Sequence, residues 1–151
     1  MLLSAIDEAF SGGSWHGPSL RASLRGVDQS EAAWRPAPRR HNIWELVVHA
    51  AYWKHIVSVR VTGSRERFPY AGSNWFRRPA RGASWEGDLR LLQHEHQKLR
   101  DLVSALNLAR LGSRVHGRAD TVEHTIRGIA AHDIYHAGQI QLLRRLRRRG
   151  A

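Results

Sequence analysis

The spacing of apolar residues predicts helices along most of the chain. In residues 42–63 the apolar positions recur at intervals of three and four: Leu46, Ala50, Trp53 and Val57. This interval places them on one helical face, whereas a half-buried strand alternates apolar and polar residues. Asn42 and Glu45 have the spacing of a capping box at the start of this helix, and Gly63 marks its end.

A helical segment that is broken once precedes this helix. It covers residues 2–10, stops in the Ser/Gly run 11–14 and resumes near Pro18, since proline is tolerated in a first turn. Residues 27–41, which include two prolines, are expected to form a connector.

Two more helices are predicted in the second half of the chain. Residues 64–83 are rich in Gly, Pro, Ser and Arg and lack a sustained period, so they predict a long loop whose aromatic residues favour packing. Helical spacing returns in residues 84–106, and a last helix covers residues 121–148 with Asp120 and Glu123 as its capping box. The expected architecture is all-α: a four-helix bundle with a long connection between helices 2 and 3.

Size and composition fit one domain over residues 1–151, because a chain with 42% hydrophobic residues can bury its own core. No apolar run approaches the roughly 20 residues of a membrane span, so no membrane partner is expected. The start, MLLSAIDEAF, lacks a basic region ahead of its apolar patch, which predicts a cytoplasmic protein.

The formal net charge of +11 raises nucleic acid as a partner. However, the arginines are spread along the chain, and the one dense run, within Arg144–Arg149, lies at a predicted helix end, where cations oppose the negative end of the helix dipole. We therefore interpret that run as a solvated helix end, and nucleic-acid binding stays a third hypothesis. The chain has no cysteine, which excludes disulfides, thiolate nucleophiles and Cys-ligated zinc.

Three of the ten histidines are expected to face the bundle interior. His49 lies in the apolar stripe of the second helix, and His132 and His136 are four residues apart on the last helix. Side chains at this spacing lie on neighbouring turns, about 5 to 6 Å apart, close enough to bind one metal ion. Three imidazoles suit zinc, nickel, copper or iron and leave coordination positions open. The alternative is that these histidines are uncoordinated core residues.

Two segments resemble a known family: NIWELVVHAAYW, with His49 and Trp53, and GIAAHDIYHAGQIQLLRR, with His132, His136 and Gln139. Together they resemble the DinB-like superfamily, which includes the YfiT-like metal-dependent hydrolases. The resemblance covers nearly the whole chain, including helix order and the long connection. It implies a divalent metal, often zinc or nickel, bound by the three histidines with water completing the shell.

The site is expected to extend beyond the three histidines, and a partner is expected as well. The amino-terminal WHGPSL segment looks like one branch of the superfamily, which makes His16 a candidate pocket residue. Gln139 is a candidate for orienting a ligand, and Asp133 and Tyr135 are candidates for supporting the ligands. For Asp133 the alternative is a solvent-facing position, and for Tyr135 ordinary packing. Relatives often pair, so a homodimer is expected.

The leading functional hypothesis is a metal-dependent enzyme whose ion activates water or a low-molecular-weight thiol, as in a hydrolase or a thiol transferase. Because the chain has no cysteine, any thiol must arrive as a cosubstrate of a small-molecule reaction. The alternative hypothesis is a noncatalytic metal-binding or stress-response module.

Overall fold

A computed structural model describes residues 1–13, 15 and 17–150, and within them it shows helices and no strand. The all-α fold class predicted from the sequence is confirmed. The six α-helices, in chain order, are α1 (Leu2–Phe10), α2 (Leu20–Ser23), α3 (Gln29–Ala33), α4 (Ile43–Thr62), α5 (Trp85–Ser104) and α6 (Val122–Arg149). A short 3₁₀ helix, Leu108–Arg110, lies between α5 and α6. None of the helices in the described ranges has the length and apolar character needed to cross a membrane.

Four helices contact one another around a shared core: α4 packs against α5, α5 against α1, α1 against α6, and α6 against α4. The core has two clusters of buried side chains. One contains Trp44 and Trp85, whose rings meet edge to face, and the other contains Ile6, Leu99 and Ile126. Because α3, α5 and α6 all cover α4, this helix is buried on most of its surface. The last helix and α4 therefore meet in the interior.

Two helices, α4 and α5, begin with side-chain caps at the residues where the sequence predicted their starts. The side chain of Asn42 accepts a hydrogen bond from the Glu45 amide at 2.8 Å, and Ser84 accepts one from the Gly87 amide at 3.0 Å. Each satisfies an amide that has no partner inside its helix. Gly63 ends α4 with φ of 75°, a left-handed conformation that glycine adopts without steric cost.

Three details of the sequence prediction are wrong. The cap of α6 is Thr121, which accepts from the His124 amide, so Asp120 and Glu123 do not form the capping box. Helix α5 ends at Ser104, before Leu106. The expected connector contains helix α3, which Asp28 caps by accepting from the Glu31 amide at 2.7 Å. The Asp-x-x-Glu spacing was the signal for it.

The buried carboxylate of Asp88 on α5 anchors the long connection between α4 and α5. It accepts hydrogen bonds from Trp44 Nε1 at 2.6 Å, from the Tyr70 hydroxyl at 2.5 Å and from Arg78 Nε at 2.7 Å. Tyr70 and Arg78 belong to the connection, while Trp44 belongs to α4. Asp88 thus joins two helices to the loop that runs between them.

We expect Asp88→Asn to lower the free energy of unfolding by about 3 to 5 kcal/mol, because the buried Arg78 guanidinium would lose its counter-ion. Urea unfolding followed by circular dichroism measures this. The matched control is Asp101→Asn, which removes the same charge from an exposed position on α5. Equal losses in the two variants would contradict the role assigned to Asp88.

Candidate metal centre

The structure brings together the three histidines singled out from the sequence. His49 lies on α4, and His132 and His136 lie one turn apart on α6. The Nε2 atom of His132 is 3.1 Å from Nε2 of His49 and 3.0 Å from Nε2 of His136. One ring nitrogen from each residue therefore faces a common point, and these nitrogens lie within 4.8 Å of one another.

The outer nitrogens of two of these rings are held by hydrogen bonds. His49 Nδ1 donates to the main-chain carbonyl of Asn74 at 2.8 Å, and His136 Nδ1 donates to Gln139 Oε1 at 2.7 Å. A neutral imidazole that carries its proton on Nδ1 has its lone pair on Nε2, so both lone pairs face the common point. This is the arrangement by which metal-binding histidines are oriented in proteins. The role expected for Gln139 fits this contact.

Burial keeps the three imidazoles neutral. It lowers the pKa of His132 to about 3 and that of His136 to about 4, although the hydrogen bond to Gln139 acts to raise the pKa of His136. The positive charge of Lys54 acts in the same direction as burial on both. The pKa of His49 is also lowered, mainly by burial. Neutral imidazoles are good ligands for zinc, nickel and copper. They cannot all hydrogen-bond to one another when the lone pairs of two rings point at a third ring. The donor set therefore fits a divalent transition-metal ion.

The buried Nδ1 of His132 has no hydrogen-bond partner among the described residues. With its two neighbours presenting lone pairs, the ring of His132 can satisfy at most one of them by donating from Nε2. The cluster without an ion is thus left short of one proton donor. An ion at the common point removes this deficit, since each ring then directs a lone pair at the cation.

The long connection completes the site with two adjacent residues. Asn74, at φ of 64°, accepts from His49 through its carbonyl and from Trp53 Nε1 through its side chain, the latter at 2.9 Å. Trp75 stacks on the His49 ring with centroids 3.8 Å apart, and His41 stacks on the other face of Trp75 at 3.6 Å. The sequence interpretation assigned none of these contacts, although a packed aromatic loop was expected.

The remaining candidate residues have varied positions. Asp133 is 1% exposed and pairs with the equally buried Lys54, so the alternative of a solvent-facing position is wrong. Tyr135 is 62% exposed, and its ring makes a T-shaped contact with that of His136, with centroids 5.2 Å apart. His16 lies outside the described residues. His55 and His96, which were not among the three histidines expected to face the interior, are both buried.

Comparison with known families matches the chain to one of them. A family model described as the DinB superfamily matches residues 14–140. The chain belongs to the DinB superfamily. The matched range includes all three clustered histidines, which confirms the resemblance inferred from the two histidine-bearing segments. No curated protein and no solved structure matches the chain significantly.

We expect the metal-free protein to lose stability as the pH falls below about 6.5, the ordinary pKa of histidine. In that range the histidines of the unfolded chain bind protons, whereas half-buried His132 and buried His136 of the folded protein stay neutral down to pH about 3 and 4. Acid therefore favours unfolding. For each such histidine, the free energy of unfolding falls by up to about 1.4 kcal/mol per pH unit. Urea unfolding at pH 7.5, 6 and 5 measures the slope.

In the variant His132→Gln, the slope of the free energy of unfolding against pH should become shallower by the contribution of one histidine. The control His94→Gln removes an exposed imidazole from α5 and should keep the wild-type slope. A wild-type slope in His132→Gln would show that His132 is not held neutral by burial.

Proposed function

We propose that this member of the DinB superfamily is a divalent-metal-dependent enzyme in which His49, His132 and His136 hold the ion. The observation that supports this most directly is the convergence of three Nε2 atoms, with the outer nitrogens of two rings held by hydrogen bonds. Zinc and nickel are the ions we expect, because three neutral imidazoles suit borderline transition metals.

When bound, such an ion acts as a Lewis acid that lowers the pKa of a water or small-thiol ligand and so supplies a nucleophile at neutral pH. The residues of the chain do the rest. Gln139 and the Asn74 carbonyl fix the ring orientations, and Trp75 covers one face of His49. Three protein ligands leave coordination positions for a reactant, which is typical of catalytic rather than structural sites. The proposed reactions are hydrolysis or thiol transfer on a small molecule.

A second candidate is a noncatalytic metal-binding or stress-response module. The observation that favours it is the placement of the ligands on α4 and α6, since an ion shared by two helices stabilises the folded state by binding it alone. Chelation that lowers the melting temperature, with no turnover of a panel of esters, amides and thiol acceptors, would favour this module. Turnover that depends on the ion would favour the enzyme.

We expect purified protein loaded with zinc or nickel to retain one ion per chain after desalting. His132→Ala and His136→Ala should each lose it, because two imidazoles hold such ions far more weakly than three. Elemental analysis measures the stoichiometry, and His94→Gln is the exposed control. Retention of the ion by both alanine variants would overturn the proposed ligands.

We expect Asn74→Gly to lower the affinity for the ion about tenfold, at the low end of the effect of residues that orient metal ligands. Glycine adopts the positive φ of this position, so the variant removes the bond to Trp53 without adding backbone strain. Competition with a chromophoric chelator measures the affinity. Asn107→Gly removes a cap at the 3₁₀ helix and should leave it unchanged. Unchanged affinity in Asn74→Gly would show that the side-chain bond to Trp53 is not what positions the carbonyl that accepts from His49.

A further inference from the structure

A cavity of about 670 Å³ adjoins the candidate metal centre. It lies between the connector that precedes α4 and the second half of α6, and His136, Gln139 and Trp75 form its end nearest the metal centre. A small molecule in this cavity would therefore touch a proposed metal ligand. Its two side walls differ in chemistry.

The α6 wall is apolar. It carries Leu142 and Leu146, which are 57% and 41% exposed, together with Tyr135 on the same helical face. Large apolar side chains exposed together in a concave site indicate a ligand with an apolar body, because covering them removes apolar surface from water. Leu46 and Leu143 continue this wall into the core.

The connector wall carries one cationic side chain, that of Arg40. The side chain of Arg40 is exposed and makes no hydrogen bond or ion pair with any residue that the structure describes. The adjacent His41 donates from Nδ1 to Glu45 at 3.0 Å, and Arg35 binds both oxygens of the same carboxylate at 2.6 and 2.9 Å. Glu45 is thereby neutralised by its own partners. Among the described residues, the lining of the cavity includes no acidic side chain.

We propose that this cavity binds the substrate of the metal centre, and that the substrate is an organic anion: a carboxylate on an aliphatic or aryl body. The carboxylate would lie against Arg40, whose guanidinium can bind it in a bidentate manner, and the body would lie along Leu142 and Leu146. Because His136 lines the same cavity, the bound molecule would lie beside a proposed metal ligand. This inference deepens the proposed function and rests on it.

The test compares two probes that differ in charge, 4-phenylbutyrate and 4-phenylbutan-1-ol, titrated into the zinc-loaded protein with NMR shifts as the readout. Wild-type protein should bind the carboxylate more tightly. Arg40→Gln should weaken carboxylate binding about tenfold and leave the alcohol unchanged, since only the carboxylate pairs with the guanidinium. Arg39→Gln removes the same charge from the adjacent exposed residue, which does not line the cavity, and should leave both affinities unchanged.

A second variant tests the apolar wall. Leu142→Gln should weaken both probes by a similar factor, because it removes apolar surface common to both complexes. Since Leu142 is exposed, this substitution should leave the fold intact. If Leu142→Gln binds each probe as tightly as wild-type protein does, the apolar body does not lie on Leu142 and its placement is overturned.

Three results would overturn the inference. Carboxylate binding that survives Arg40→Gln but disappears when the zinc is removed would show that the ion, not the arginine, holds the anion. Equal weakening by Arg39→Gln and Arg40→Gln would show only a general field of positive charge. If neither probe binds, the cavity is excluded as a binding site for organic anions of this kind. By contrast, Arg40-dependent binding to a protein that retains no zinc would overturn the proposed function while leaving the anion site supported.

Discussion

The buried carboxylate of Asp88 holds the long connection between α4 and α5 in place, and the candidate site depends on that connection. Asp88 accepts hydrogen bonds from Trp44 on α4 and from Tyr70 and Arg78 on the connection. A carboxylate removed from water is stable only when its oxygens are paired in this way. The residues between these two anchors include Asn74, which reaches His49. A buried charge on α5 thereby fixes an imidazole on α4.

The second constraint is the burial of the three histidines. Removal from water disfavours the charged imidazole, so the cluster is neutral and its lone pairs are free to bind a cation. The same burial makes the cluster costly without one, because only one of the two lone pairs aimed at His132 can receive its proton. Burial destabilises an ordinary polar cluster, but in this cluster it keeps the imidazoles in the neutral form that binds a metal ion.

A buried ion pair lies beside this cluster in the sequence and in the core. Lys54 on α4 and Asp133 on α6 are each about 1% exposed, and Asp133 directly follows His132. Burial raises the pKa of Asp133, while the lysine beside it acts in the opposite direction. Breaking such a pair leaves an uncompensated charge in the core. The pair therefore favours the one register of α4 against α6 in which both charges meet. That register is the one in which His49 meets His132 and His136.

The sequence by itself determined the helices and the ligand candidates. Helical spacing, local caps such as Asn42 and Ser84, and the four-residue interval of His132 and His136 are all properties of neighbouring residues, so they can be recognised without the fold. The cap of α6 was misassigned because Asp120 and the adjacent Thr121 are both competent caps, whereas helix α3 was missed although its Asp-x-x-Glu spacing is a local signal.

Tertiary structure alone decided the rest. The contact of Asn74 with His49 spans 25 residues, and its bond to Trp53 spans 21, so no local pattern reports either. The same holds for Asp133, whose burial depends on a lysine 79 residues away. The stack of His41, Trp75 and His49 likewise joins a connector, a loop and a helix. Sequence periodicity describes one element at a time, whereas a site assembled from several elements is fixed by how they pack.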